Sequence, residues 1–194
     1  MKRWSLLFTG ILGLAIATPA GAQYAMGPQA VIGLAGGATN TDLANSGTST
    51  DTRWGGMAGL FYGRRLSTGT AAMLEANWVQ QGGGDTRLDY ISVPLTFGAT
   101  TGRGMGRVRP YIGVSVDFKI GCSASSSLVC DAASGTQWAL PLGLTFGKAS
   151  PSGSFVGLDV RYAVPLSHAF DNSNVYNRSW QFRLVLAKPA GKQH

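Results

Sequence analysis

The chain has 194 residues, 16 Lys and Arg against 9 Asp and Glu, and a net charge of +7, enough length for one domain with a sizeable core. Only 13% of it is charged, about half the ~25% of an ordinary soluble domain, and 28 residues are glycine. No stretch beyond residue 22 holds the ~18 uninterrupted apolar residues of a membrane-spanning helix, and no Lys/Arg run marks a nucleic-acid surface, so both classes are set aside.

Met1, Lys2 and Arg3 form a basic leader, Leu6 to Ala17 an apolar run of about a dozen residues, and Ala20-Gly21-Ala22 a small-x-small site. This predicts a secretory signal peptide over 1–22, cut before Gln23, because the run is too short for an anchor, which needs ~20 residues. A domain over 23–187 and a short tail over 188–194 follow. Loss of Lys2 and Arg3 brings the +7 of the full chain to +5.

The remainder repeats one pattern, segments of alternating bulky apolar and small or polar residues separated by Gly, Ser, Asn, Asp and Thr. Period two means a strand with two unlike faces. The spacing predicts eight strands over 29–38, 53–66, 70–82, 87–99, 108–120, 135–148, 154–166 and 176–187, with no helix after residue 22. In the fifth, Ile112, Val114, Val116, Phe118 and Ile120 alternate with Tyr111, Gly113, Ser115, Asp117 and Lys119. In the sixth, Trp138, Leu140, Leu142, Leu144 and Phe146 alternate with Gln137, Ala139, Pro141, Gly143 and Thr145. In the seventh, Val156, Leu158, Val160 and Tyr162 alternate with Gly157, Asp159 and Arg161; in the eighth, Trp180, Phe182, Leu184 and Leu186 alternate with Gln181, Arg183 and Val185.

A soluble sandwich buries the apolar face of such strands, whereas an outer-membrane barrel turns it to lipid. Two features favour the barrel. The strands are long enough to cross a bilayer at a tilt, where sandwich strands run five or six residues. The polar face also balances its charges, with Glu75, Asp89, Asp117 and Asp159 against Lys119, Arg161 and Arg183. Charges taken out of water need partners; solvated ones do not. The sequence therefore predicts an all-β fold, an eight-stranded antiparallel up-and-down transmembrane barrel, with these seven residues as an interior charge network. Gly113, Ser115, Gly143 and Gly157 leave room for it, and a barrel of this size is filled by its own side chains. Trp54, Tyr62, Trp78, Tyr90, Tyr111, Trp138, Tyr162 and Trp180 are candidates for interfacial girdles.

An even strand count puts both ends of the barrel domain on the periplasmic side. The outer connections are then 39–52, 83–86, 121–134 and 167–175, and the periplasmic turns 67–69, 100–107 and 149–153. The brevity of 83–86 and the length of 100–107 run against the rule of long outer loops and short inner turns. Cys122 and Cys130 share the third outer loop, where export predicts a disulfide; neither His168 nor His194 lies near enough in sequence to complete a metal site. Arg64, Arg65, Arg103, Arg107, Lys148, Lys188 and Lys192 gather on the periplasmic side, as contacts to anionic lipid or as solubilising charge.

The stretches LEANWVQQGG (Leu74 to Gly83), LDYISVPL (Leu88 to Leu95), RPYIGVSV (Arg109 to Val116), GLDVRYAVPL (Gly157 to Leu166) and NRSWQFRL (Asn177 to Leu184) resemble, in order and spacing, the PorT-type family of outer-membrane barrels, also called porin family or outer-membrane β-barrel domain proteins. The resemblance implies an eight-stranded barrel and little about activity. Many outer-membrane barrels end on an aromatic residue read by the assembly machinery; here KPAGKQH follows the last strand, so Trp180 and Phe182 are the candidates for that signal.

His168 with Ser173-Asn174 invites comparison with outer-membrane lipid A deacylases, barrels whose His and Ser lie two residues apart on a strand. The gap here is five residues through Asp171 and Asn172, which reads as a turn. No P-loop, zinc motif or nucleotide fingerprint is present, and no cofactor is expected. The expected partners are outer-membrane lipids and the assembly machinery, for a monomer. The expected role is structural or surface-interacting, with a lipid-modifying enzyme, a small-solute channel and a soluble periplasmic ligand-binding barrel as alternatives.

Overall fold

The computed structural model describes residues 29–45, 49–102, 106–125, 127–171 and 174–190. The predicted signal segment lies outside the described residues, as do Arg103, Ser173, Lys192 and His194. Eight antiparallel strands follow in order: β1 (Ala30–Ala44), β2 (Arg53–Ser67), β3 (Thr70–Gly83), β4 (Thr86–Ala99), β5 (Gly106–Ser123), β6 (Thr136–Ala149), β7 (Phe155–Pro165) and β8 (Tyr176–Pro189). Each pairs with its chain neighbours, and β1 pairs with β8 from Val31↔Pro189 to Ala44↔Tyr176, closing the barrel. Closure satisfies every strand edge, the condition for crossing lipid with strands.

The alternation resolves into an apolar wall and a polar lumen. Leu142, Leu158 and Phe182 are 38, 51 and 42% exposed on the outside, while Asp117, Asp159 and Arg161 are 4, 1 and 3% exposed within. Trp54, Trp78, Trp138 and Trp180 all point outward in the strand halves nearest the outer loops. Tyr162 packs on Trp180 with ring centroids 4.8 Å apart. Tyr62 faces outward near the opposite end of β2. Eight residues separate Trp54 from Tyr62. At ~3.3 Å per residue and a tilt of ~40° they span ~20 Å, close to the ~25 Å apolar band of such barrels.

The structure departs from the sequence reading at several points. Tyr90 and Tyr111, predicted for the girdles, are buried in the lumen, where their hydroxyls meet Gln137 and Asp159. β1 continues to Ala44 through residues predicted as loop. Thr39 and Thr41 donate to the Gln80 and Gly82 carbonyls of β3 at 2.6 and 2.8 Å. Gly55 makes the first of these possible, because a Cβ there would crowd both Thr39 Oγ1 and Gln80. A short helix, α1 (Ser127–Ala132), sits in the third outer loop, where the sequence pattern predicts none, and carries Cys130 of the Cys122–Cys130 disulfide. The second outer connection, expected to be short, is the two-residue turn Gly84-Asp85, with Gly84 at φ 54°. The first outer loop folds over it, the Gly84 amide donating to the Asp51 carbonyl at 2.9 Å.

Candidate functional site

Midway along the lumen, four of the seven predicted charges meet. Arg161 of β7 donates to Glu75 of β3 at 2.5 Å, and Arg183 of β8 donates to the other Glu75 oxygen at 2.6 Å. Arg183 also holds Asp159 at 2.7 to 2.8 Å. β3 and β7 lie four strands apart in a ring of eight, so the Arg161–Glu75 pair is a strut across the lumen. Three neutral side chains complete it. Tyr111 Oη donates to Asp159 at 2.9 Å and accepts from Arg161 Nε at 2.8 Å. Thr145 donates to Asp159 at 2.6 Å, and the Asn77 amide donates to Glu75 at 3.0 Å. Both carboxylates thus accept several charge-assisted or short hydrogen bonds, the condition under which a buried ion pair is tolerated.

Glycines shape this tier. A Cβ on Gly143 would run into the Tyr111 phenol, and one on Gly59 into the Asn77 amide. Gly143 leaves room as the sequence predicts; Tyr111, Thr145, Asn77 and Gly59 are site residues that the sequence reading does not include. Period-two counting does mark Tyr111 and Thr145 as lumen-facing, so a signal for those two exists.

The other three predicted charges lie elsewhere. Asp117 is buried nearer the outer end, and its Oδ1 has no hydrogen-bond partner among the described residues. Lys119 lies above it and donates to the backbone carbonyls of Cys130, at 3.1 Å, and Ala133. It thereby anchors the C-terminal end of α1, where a cation suits the exposed carbonyls. Asp89 is not interior. Leu88, Tyr90, Ser92 and Thr96 take the lumen side of β4 in unbroken alternation, so Asp89 falls on the outer face with Arg87, 3.0 Å away.

Above the network lies a tier of buried polar side chains, with Gln137 donating to Tyr90 Oη at 2.6 Å and Asn177 donating to Gln81 Oε1 at 2.5 Å, and toward the outer end an apolar cluster. Leu88, Tyr90 and Ala133 form a buried cluster with Cys122 and Phe170 against it. Backbone bonds from Ser134 to Ala169 and from Asp171 to Ala132, each 2.9 Å, join the third and fourth outer loops over this cluster. Below the network a cavity of about 650 Å³ opens at the periplasmic end among the turns at 67–70 and 153. Of the tempting catalytic pair, His168 lies 3.0 Å from Tyr176 Oη with the two rings packed together; Ser173 is outside the described residues.

A closed ring with a greasy exterior and an ionised interior is the arrangement of an outer-membrane barrel. Residues 7–187 match the family described as outer membrane protein beta-barrel domain. The chain belongs to that family. Its place is accordingly the outer membrane, and its apolar wall faces lipid. Among solved structures it is similar to OprG from Pseudomonas aeruginosa, at 13% identity over 84% of this chain and 98% of that one, with a TM-score of 0.53. It is similar to Neisserial surface protein A, at 15% identity over 85% and 99%, with a TM-score of 0.50. The outer membrane enzyme PagL matches at 14% identity over 83% and 99%, with a TM-score of 0.48. At such identities the likeness is one of fold. No curated protein gives a significant match.

Proposed function

We propose that this chain is a closed, non-enzymatic outer-membrane barrel whose role is structural or lies in contacts made by its outer loops. The observation that carries this reading is the pair of barriers stacked in the lumen. The Glu75–Arg161–Arg183–Asp159 network bridges opposite walls, and above it an apolar cluster is roofed by two joined loops. A solute crossing the barrel would have to break charge-assisted bonds and part that roof. The disulfide and the Lys119 clasp hold the third loop in one shape, as a presented surface requires. His168 against Tyr176 reads as a loop clasp, which favours this role over lipid A deacylation. Within the family, the five stretches from Leu74 to Leu184 support a PorT-type member.

Reconstitution into planar bilayers tests the closed lumen. Purified barrel is expected to give no discrete conductance steps at ±100 mV, and regular steps abolished by Glu75→Gln or enlarged by it would refute the closed reading.

A further inference from the structure

The lumen is open toward the periplasm, and the cavity there has the chemistry of a binding site. Its volume of about 650 Å³ falls within the ~300–1,000 Å³ of small-molecule sites. One wall is apolar, built on Ala35, Phe61 and Val185 with Met73 and Phe155 packed against them. The inner end is the charged tier itself, since Glu75, Thr145, Asp159 and Arg183 line the cavity from above.

Arg109 lines it too and stands apart from the other interior guanidiniums. Arg161 and Arg183 each hold a carboxylate, whereas no carboxylate lies within 4.0 Å of Arg109 among the described residues. Its Cζ lies 5.1 Å from the Tyr111 ring centroid, its Nη2 is 3.5 Å from Thr96 Oγ1, and its Nε has no hydrogen-bond partner among the described residues. A ring face and one long bond are weak company for a guanidinium in a narrow lumen, which favours a counter-anion. The charged tier agrees. Arg109, Arg161 and Arg183 face Glu75 and Asp159, an excess of one positive charge. Arg65 and Arg107 at the mouth add to the positive field that an entering anion meets.

We propose that this periplasm-facing vestibule binds an amphipathic monocarboxylate, its head on Arg109 and its apolar body along Phe61, Val185 and Phe155. Arg109, the guanidinium of the charged tier with no carboxylate partner, takes one anionic head, its planar fork suits a carboxylate, and the apolar wall selects a hydrocarbon or aryl body. This goes beyond the closed-barrel reading and does not depend on the outer loops.

Octanoate is the probe. It is titrated by calorimetry into the full mature barrel in phosphatidylcholine nanodiscs, with empty nanodiscs subtracted and octanamide as the neutral isostere. The expected result is saturable binding of one octanoate per barrel, with octanamide at least tenfold weaker. Arg109→Gln should weaken octanoate at least tenfold, and Ala35→Phe, which fills the vestibule without altering charge, should abolish binding. Heat-modifiable migration verifies that each variant is folded. If Arg109→Gln does not fold, the octanamide comparison and Ala35→Phe decide. No saturable heat beyond empty nanodiscs, equal affinity for octanoate and octanamide, or undiminished binding to folded Arg109→Gln or Ala35→Phe would each overturn the proposal.

Discussion

Glu75→Gln isolates the central strut, because it keeps the shape of the side chain and removes the charge that both Arg161 and Arg183 reach, at 2.5 and 2.6 Å. A hydrogen bond to a charged group contributes about 1.5–3 kcal/mol, so weakening two should cost about 3–6 kcal/mol. Breaking a buried pair by removing one partner costs about 3–5 kcal/mol on independent grounds, since the partner is left uncompensated. The two routes agree near ~4 kcal/mol. With a urea slope of ~2 kcal/mol per molar, the unfolding midpoint should fall by ~2 M. The assay is reversible urea unfolding of barrel refolded into phosphatidylcholine vesicles, followed by Trp fluorescence and heat-modifiable migration. Trp54, Trp78, Trp138 and Trp180 lie on the outward face, so their emission reports loss of the lipid-facing wall. Adding Arg161→Met removes one stranded cation and should recover about half of the loss, because the two sites are coupled. A midpoint shift below ~0.5 M for Glu75→Gln would refute the strut.

Asp117→Asn should behave oppositely to Glu75→Gln despite similar burial. No cation lies within 4.0 Å of Asp117 among the described residues, and asparagine keeps an acceptor oxygen for its neighbours Ser92, Ser115 and Gln81, so the midpoint should move by less than ~0.5 M, under ~1 kcal/mol; a loss of ~3 kcal/mol would show an ion pair the geometry does not contain. Cys122→Ser releases a link between residues 8 apart, for which chain entropy gives about 2.5 kcal/mol. Because the link closes only the outer loop, limited proteolysis between 123 and 134 should accelerate while the barrel keeps its heat-modifiable migration. Collapse of the barrel would mean that the loop, and not the strand ladder, holds the outer end together.

Period-two counting suffices for the barrel because one rule governs every strand: each residue faces either lipid or lumen. Val156 and Leu158 are lipid-facing for the same reason that Asp159 and Arg161 are not. Asp89 obeys the rule too: Leu88, Tyr90 and Ser92 face the lumen, so Asp89 faces out, and placing it inside for its charge alone runs against the count. The rule is silent on β1 beyond residue 38. Thr39 and Thr41 look like loop residues until their hydroxyls are seen bonding to β3 over Gly55, a contact set by three strands at once. α1 spans six residues with no buried side chain, too short and too polar-flanked to show a helical period.

Which charges pair inside the lumen is a different kind of question, and alternation alone does not answer it. Facing inward brings Asp117, Lys119, Asp159 and Arg161 to one space, but pairing depends on height along the axis, which strand tilt and register fix. Asp159 and Arg183 are register partners on adjacent strands, so their pair follows from the ladder. Arg161 and Glu75 are not; they meet only because the ring is narrow enough for an arginine to reach the opposite wall. The same narrowness sets the division of the lumen. Long charged side chains fill the middle, Leu88 and Tyr90 fill the outer end, and toward the periplasm Gly33, Gly63, Gly147 and Gly157 lie on the inward side of four strands. A Cβ on Gly33 would meet the Phe61 ring, and one on Gly147 or Gly157 the Phe155 ring, so these aromatics lie against the wall over the glycines and form the apolar side of the cavity below the charged tier.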